Sequence, residues 1–313
     1  MRRIGLILAS IAVCLLAMLS AFAYQTKNDY NPDEKRFVYI LNPGSYYWQY
    51  AEDGIVAAGE ALGCRTKRSE FTRYDIDEQI SMLQAAMYMQ ADGIVTVGEP
   101  YSKKLNETIA QIVESGIPVV LVDTDSKESG RSIYIGSDNY KAGQLAAQKI
   151  IEETSGAGRV AVVVSAMSSA NQSERYNGFA DTIAQHAGME IIAVCEHHSD
   201  NIKDHLNRLL NETPGLDAIF CAEASSSAQL GLLLEHHQDI VVVGFDNGPT
   251  TTMKFVEAGV YDATVIQSAY EMGYQAISYL NDYDSQKNGG VQVRYTDVQL
   301  VTTQDMQSGK YAQ

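Results

Sequence analysis

Two aspartates stand where a carboxylate could hold a small hydroxylated molecule. Asp123 ends the run Gly116-Ile117-Pro118-Val119-Val120-Leu121-Val122, and Asp246 follows Ile240-Val241-Val242-Val243-Gly244-Phe245. Continuous apolar runs of this kind, bounded by helical patterns, read as parallel strands covered on both faces. Open α/β sheets bind ligands outside the carboxyl ends of such strands. A carboxylate there accepts hydrogen bonds from ligand hydroxyls, each worth about 1.5–3 kcal/mol when charge-assisted, although the same residue can instead cap the next helix. The two runs also close similar units. Ala91-Asp92-Gly93-Ile94-Val95-Thr96-Val97 and a helix-like stretch precede the first, and Leu216-Asp217-Ala218-Ile219-Phe220-Cys221-Ala222 and a helix-like stretch precede the second. Two such units predict two similar α/β lobes with carboxylates facing across a cleft, a setting for a small polyhydroxy ligand.

Other chemistry-bearing groups are weaker. The single Trp, Trp48, lies in Ser45-Tyr46-Tyr47-Trp48-Gln49-Tyr50, an aromatic cluster with neither helical nor strand alternation. It serves either core packing or the stacking of a ligand on aromatic faces. Gly156-Ala157-Gly158-Arg159 has dinucleotide-loop glycines but precedes a strand instead of following one, so it reads as a turn. The adjacent pairs His197-His198 and His236-His237 cannot face one metal from a helix and read as surface histidines. Ser165, Ser168, Ser169 and Ser173 lack a nucleophile elbow. Beyond the leader, Cys64, Cys195 and Cys221 have no CxxC spacing. Cys195 and Cys221 read as buried free thiols, and the set fits neither a disulfide framework nor a zinc site. No catalytic residue, metal or cofactor is expected.

A net charge of -16 over 313 residues disfavours nucleic acid, whose phosphates need a basic surface. Arg2 and Arg3 precede an uncharged run from Ile4 to Ala23 that ends Ala21-Phe22-Ala23. Residues 1–23 are either a cleaved secretory signal or an uncleaved signal anchor long enough to span a bilayer. Ile11-Ala12-Val13-Cys14 matches a lipoprotein box only loosely, with bulky Val13 before Cys14. Residues 24–35 are a polar linker, and the chain beyond lies outside the cell membrane.

Strands are predicted at Phe37–Leu41, Ile94–Val97, Pro118–Val122, Ser132–Ile135, Val160–Val164, Ile191–Val194, Ala218–Cys221, Ile240–Val243 and Ala263–Gln267, with a strand-like tail over Val291–Thr302. Helices alternate with them. One places Ala51, Ile55, Ala58 and Leu62 on one face, another follows Asp75, and others start near Leu105, Asn139, Ala170, Asn201 and Ser268.

Several motifs in order then carry a resemblance: Asp53-Gly54 after the first strand, Ser137-Asp138-Asn139, Glu174-Arg175-Tyr176-Asn177-Gly178-Phe179, Gly244-Phe245-Asp246, and a strand ending in Gln267 followed by Gly273. Together they resemble the ribose and galactose class of periplasmic binding proteins, related to the effector domains of lactose-repressor-type regulators. The resemblance spans residues 36–303. A regulator needs a DNA-binding headpiece, and an apolar leader occupies that place here.

The resemblance implies two doubly wound parallel-sheet lobes joined by a three-segment hinge, residues 36–137 with 268–297 and residues 138–267 with 298–306, before a polar tail, 307–313. It implies that Tyr47 and Trp48 sandwich a sugar ring, that Asp123 and Asp246 accept from its hydroxyls, that Arg175 bonds its oxygens, and that Gln267 is the hinge-side amide. Thr124 stands where ribose binders often have Arg. Glu223 replaces an Asn in the second lobe, favouring hydroxyl- or amine-bearing ligands, and Ser45 replaces a first-lobe Asn beside Tyr46. The implied protein is an exported, monomeric solute-binding protein, periplasmic or at the outer face of the cell membrane. It closes on a sugar or polyol and presents it to an ABC importer permease or, alternatively, to a sensor histidine kinase.

Overall fold

The computed structural model describes residues 34–43, 46–70, 73, 75–198, 201–234, 239–246, 251–283 and 293–308. The leader with Cys14, most of the linker, Ser45, the side chain of Tyr46, His236-His237 and the end of the tail lie outside the described residues.

Each lobe is built on one six-stranded sheet. The first contains β1 (Arg36–Ile40), β2 (Arg65–Arg68), β3 (Gly93–Val97), β4 (Val119–Val122), β5 (Ile133–Ser137) and β11 (Val293–Thr296), in the order β11-β5-β4-β3-β1-β2. All its pairings are parallel. The second contains β6 (Ala157–Val164), β7 (Gly188–Glu196), β8 (Ala218–Cys221), β9 (Val241–Asp246), β10 (Ala263–Gln267) and β12 (Val298–Thr302), in the order β12-β10-β9-β8-β6-β7. Only β12 runs antiparallel, beside β10.

Helices cover both faces of each sheet, which is why the central strands are mostly apolar and carry no alternation. On the first sheet, α1 (Tyr46–Leu62) packs on one face with α9 (Ala269–Asn281), and α2 (Ile76–Tyr88) and α3 (Lys103–Glu114) cover the other. On the second, α4 (Asn139–Glu153) packs against α5 (Ala170–Ile183). The opposite face takes α6 (Ile202–Glu212), α7 (Ala224–Gly231) and α8 (Thr251–Glu257), and α10 (Thr303–Gln307) ends the described chain.

The chain changes sheet three times. Ser137 ends β5, Asp138 caps α4 by accepting from the Lys141 N–H, and α4 belongs to the second layer stack. Gln267 ends β10, Ser268 caps α9 by accepting from the Glu271 N–H, and α9 returns to the first. The third change falls at Asp297, between β11 and β12. A capping side chain satisfies helix-end donors that otherwise lack partners, so each of the first two crossings stops a strand and starts a helix within two residues.

Several elements differ from what the sequence predicts. The strand-like tail consists of two strands, β11 and β12, one in each sheet, on either side of Asp297. Strand β2, with the polar sequence Arg-Thr-Lys-Arg, was not expected; it is a sheet edge paired only to β1 and needs no apolar run. Helices α8 and α10 were likewise not expected. Leu62 closes α1 beyond its packed part and is 40% exposed. Cys195 is half-buried, whereas Cys64 and Cys221 are buried; all three are free thiols.

Candidate functional site

Both strand-end aspartates open onto one cleft of about 440 Å³ between the sheets. Tyr47, Trp48 and Asp123 line it from the first lobe, Arg175, Glu223 and Asp246 from the second, and Gln267 from a crossing. That volume lies within the range of small-molecule sites, roughly 300–1,000 Å³.

Asp123 is held from every side. Its backbone adopts φ 65°, the left-handed region that Asp tolerates better than most residues. Its N–H donates to the Ile135 carbonyl at 3.1 Å and its carbonyl accepts from the Tyr134 hydroxyl at 2.7 Å. Its carboxylate accepts from the Tyr47 hydroxyl at 2.5 Å through Oδ1 and from the Thr124 hydroxyl at 2.9 Å through Oδ2. Burial, then the neighbouring Asp123 charge, pushes the Tyr47 phenol well above its ordinary value, so Tyr47 stays a donor. Trp48 meets the Tyr47 ring edge-on, with centroids 4.8 Å apart. An apolar aromatic corner thus stands directly beside a fixed acceptor.

Arg175 faces this corner from α5 and is only 4% exposed. Its Nε donates to Asn139 Oδ1 at 2.8 Å and its Nη1 to the Ala222 carbonyl at 2.9 Å. Its guanidinium carbon sits 3.6 Å from the centre of the Phe245 ring, a cation–π contact. Burial lowers the Arg175 pKa, and the Asp123 charge opposes that shift; a guanidinium remains charged in either case. Two of its donors are committed to orienting it, which leaves the rest of the planar fork to a ligand. Asp246, ending β9, is 3% exposed, and the Gln267 amide oxygen accepts from the Ser137 hydroxyl at 2.6 Å.

Glu223 caps α7. Its carboxylate accepts from the Ser225 N–H at 2.8 Å, from the Ser226 N–H at 2.5 Å and from the Ser226 hydroxyl. His197 Nε2 lies 3.4 Å from Glu223 and 2.7 Å from Ser226 Oγ. Burial alone would raise the Glu223 carboxyl, but the bonds from His197, Ser226 and Ser225 outweigh it, and the net shift is downward. His197 was expected at the surface and is 2% exposed; its position at the end of β7 carries it into this network. Ser226, His197 and Glu223 are the residue types of a hydrolytic triad. Their arrangement is not one: Glu223 approaches the same ring nitrogen that contacts Ser226, and Ser226 is fully buried. A triad places its acid on the other ring nitrogen.

Thr124 is the residue expected in the cleft that the structure places elsewhere. The left-handed turn at Asp123 and the Thr124 N–H bond to the Val122 carbonyl at 2.7 Å turn the chain aside, and Thr124 lines a neighbouring cavity. Asn171, Gln172 and Phe245 line the cleft without having been anticipated. The first two precede Arg175 by four and three residues on α5, and that spacing places them on its helix face. Among the described residues, no group of three or more His, Cys, Asp or Glu side chains could hold a metal ion, and no helix is long and apolar enough to cross a membrane.

Comparison with known proteins agrees with this architecture. GanP, a glucose-galactose binding protein from Geobacillus stearothermophilus, superposes with a TM-score of 0.79 at 29% identity, covering 88% of this chain and 99% of that one. A sugar-binding protein of a sugar ABC transporter from Bacillus halodurans superposes with a TM-score of 0.80 at 28% identity, again covering 88% and 99%. The D-apiose import binding protein of Actinobacillus succinogenes is 22% identical over 242 residues, 76% of this chain and 77% of that protein. A family model described as a periplasmic binding protein domain matches residues 37–287. That match takes in all but the last strand of each sheet and the whole described lining of the cleft, and the chain belongs to the periplasmic binding protein domain family.

Proposed function

We propose that this protein captures a sugar between its two lobes outside the cytoplasm and delivers it to an ABC-type importer. The observation that carries the reading is the pairing, across one cleft, of the Tyr47–Trp48 corner and Asp123 with Arg175 and Asp246. Sugar rings present C–H faces and hydroxyl edges. Aromatic faces carry partial negative charge and suit the former, while carboxylates and a guanidinium fork suit the latter. The glucose-galactose binding stated for GanP, the sugar ABC transporter stated for the Bacillus halodurans protein and the D-apiose import stated for the Actinobacillus succinogenes protein support the same reading. The chain acts as a binding protein and not an enzyme, and residues 1–23 export it and, if retained, tether it to the membrane.

Thermal denaturation of the purified protein against sugars, polyols, amino acids and nucleosides tests this. Ligand at 100 times its dissociation constant adds about 2.7 kcal/mol, which is roughly 5–11 °C for lobes of this size. A shift with a sugar that is lost in Asp246→Ala, without unfolding of the variant, is the expected result. A variant with unchanged affinity would remove Asp246 from the site, and shifts confined to amino acids or nucleosides would overturn the sugar reading.

A further inference from the structure

A second cavity, of about 310 Å³, adjoins the cleft and is also walled by both lobes. Asp123 and Asn171 line both spaces, so the two lie side by side at those residues. The lining repeats the chemistry of the cleft. Tyr134 is a buried aromatic wall fixed by its hydroxyl bond to the Asp123 carbonyl. Tyr295, on β11, is 55% exposed and offers a second ring at the rim. Glu174, Lys127 and Asn171 supply acceptors and donors. Glu174 is an exposed residue at the rim of this space, where partial desolvation raises its carboxyl. Aromatic faces combined with hydrogen-bonding side chains are what a saccharide ring requires.

The short Thr124 side chain is part of why the space exists. It bonds back to Asp123 and leaves the volume beyond it open. A ligand held at Asp123 in the cleft therefore has a lined space on the far side of that carboxylate.

We infer that the second cavity is a subsite for a second hydroxylated ring, so that the preferred ligand is a disaccharide or glycoside that spans Asp123. The inference rests on the sugar reading of the cleft and names the ligand class more narrowly.

Isothermal calorimetry with the purified protein tests it, using D-glucose, D-galactose, D-xylose and L-arabinose against cellobiose, maltose, lactose, melibiose and xylobiose. At least one disaccharide is expected to bind about tenfold or more tighter than its own constituent monosaccharides. Tyr295→Ala and Glu174→Gln should each remove most of that advantage while leaving monosaccharide affinity within about twofold, since neither residue lines the cleft. Tyr295 is exposed and Glu174→Gln is isosteric, so both variants should fold. The inference is overturned if monosaccharides bind and every disaccharide binds no tighter, or if both variants leave the disaccharide advantage intact. Absence of binding by saccharides of either size would instead overturn the sugar reading of the cleft, and the subsite with it.

Discussion

Ser137 donates a 2.6 Å hydrogen bond to Gln267, and the two residues end strands of different sheets at the first two crossings. Both are buried. The bond ties the hinge segments to each other and fixes the amide that lines the cleft. Hinge closure concentrates its φ/ψ changes in a few element-terminal residues, and these two stand at such positions. Removing one ordinary hydrogen bond costs about 1 kcal/mol. Ser137→Ala should therefore lower unfolding stability by about that amount, seen as a lower urea midpoint at unchanged slope, and should weaken sugar binding because Gln267 loses an anchor. An unchanged midpoint together with unchanged affinity would show that the bond neither stabilises the hinge nor positions the amide.

Asp123 combines a carboxylate that lines the cleft with a left-handed backbone, φ 65°. The two contributions separate by substitution. Asp123→Gly and Asp123→Ala both delete the carboxylate and its bonds to Tyr47 and Thr124. Glycine accepts positive φ without steric cost, whereas the alanine Cβ costs roughly 1–2 kcal/mol there. Both variants should lose sugar binding alike, and the alanine variant should be the less stable by about 1 kcal/mol in chemical denaturation. Equal stabilities would mean that the turn relaxes and that the φ angle stores no strain.

The parallel architecture was legible because apolar runs and helical periodicity are local signals. Val119–Val122 and Val242–Phe245 are buried on both faces, and their sequences say so. Elements that rest on little burial were not legible. Arg65–Arg68 is a strand only because β1 offers an unpaired edge. The placement of Tyr47, Trp48, Asp123, Arg175, Glu223, Asp246 and Gln267 along one cleft follows from strand ends and the first two turns of helices. What depends on backbone detail escaped, as with Thr124, which the turn at Asp123 carries out of the cleft. The glycines of the motifs gained a reason only in three dimensions. A Cβ on Gly178 would stand 2.0 Å from the Tyr140 carbonyl oxygen, and one on Gly54 would stand 2.0 Å from that of Tyr270. Each glycine thus lets a pair of helices approach closely, α5 on α4 and α1 on α9, and the first approach sets the height at which Arg175 enters the cleft.

Glu223 gives a pH signature whose sign is fixed by its surroundings. Its carboxyl lies below the ordinary range because the bonds from His197, Ser226 and Ser225 outweigh burial. A carboxyl depressed in the folded state contributes stability above its unfolded value, and that contribution is lost as pH falls through the folded value. The unfolded value for glutamate is about 4.3, so the contribution is complete at neutral pH and fades on the acid side of about pH 4.3. Glu223→Gln keeps the shape and removes the ionisation. At about pH 7 it should be less stable than the parent by about 1 kcal/mol, the usual value of a helix cap. That deficit should shrink when urea denaturation is repeated at lower pH, where the parent carboxyl takes up its proton. A deficit that holds constant from about pH 7 down to about pH 3 would show that Glu223 acts through packing alone and that its charge is not stabilised by the cap of α7. A deficit that shrinks as described, in a variant whose sugar affinity also falls, would show that one carboxylate serves both the helix end and the ligand.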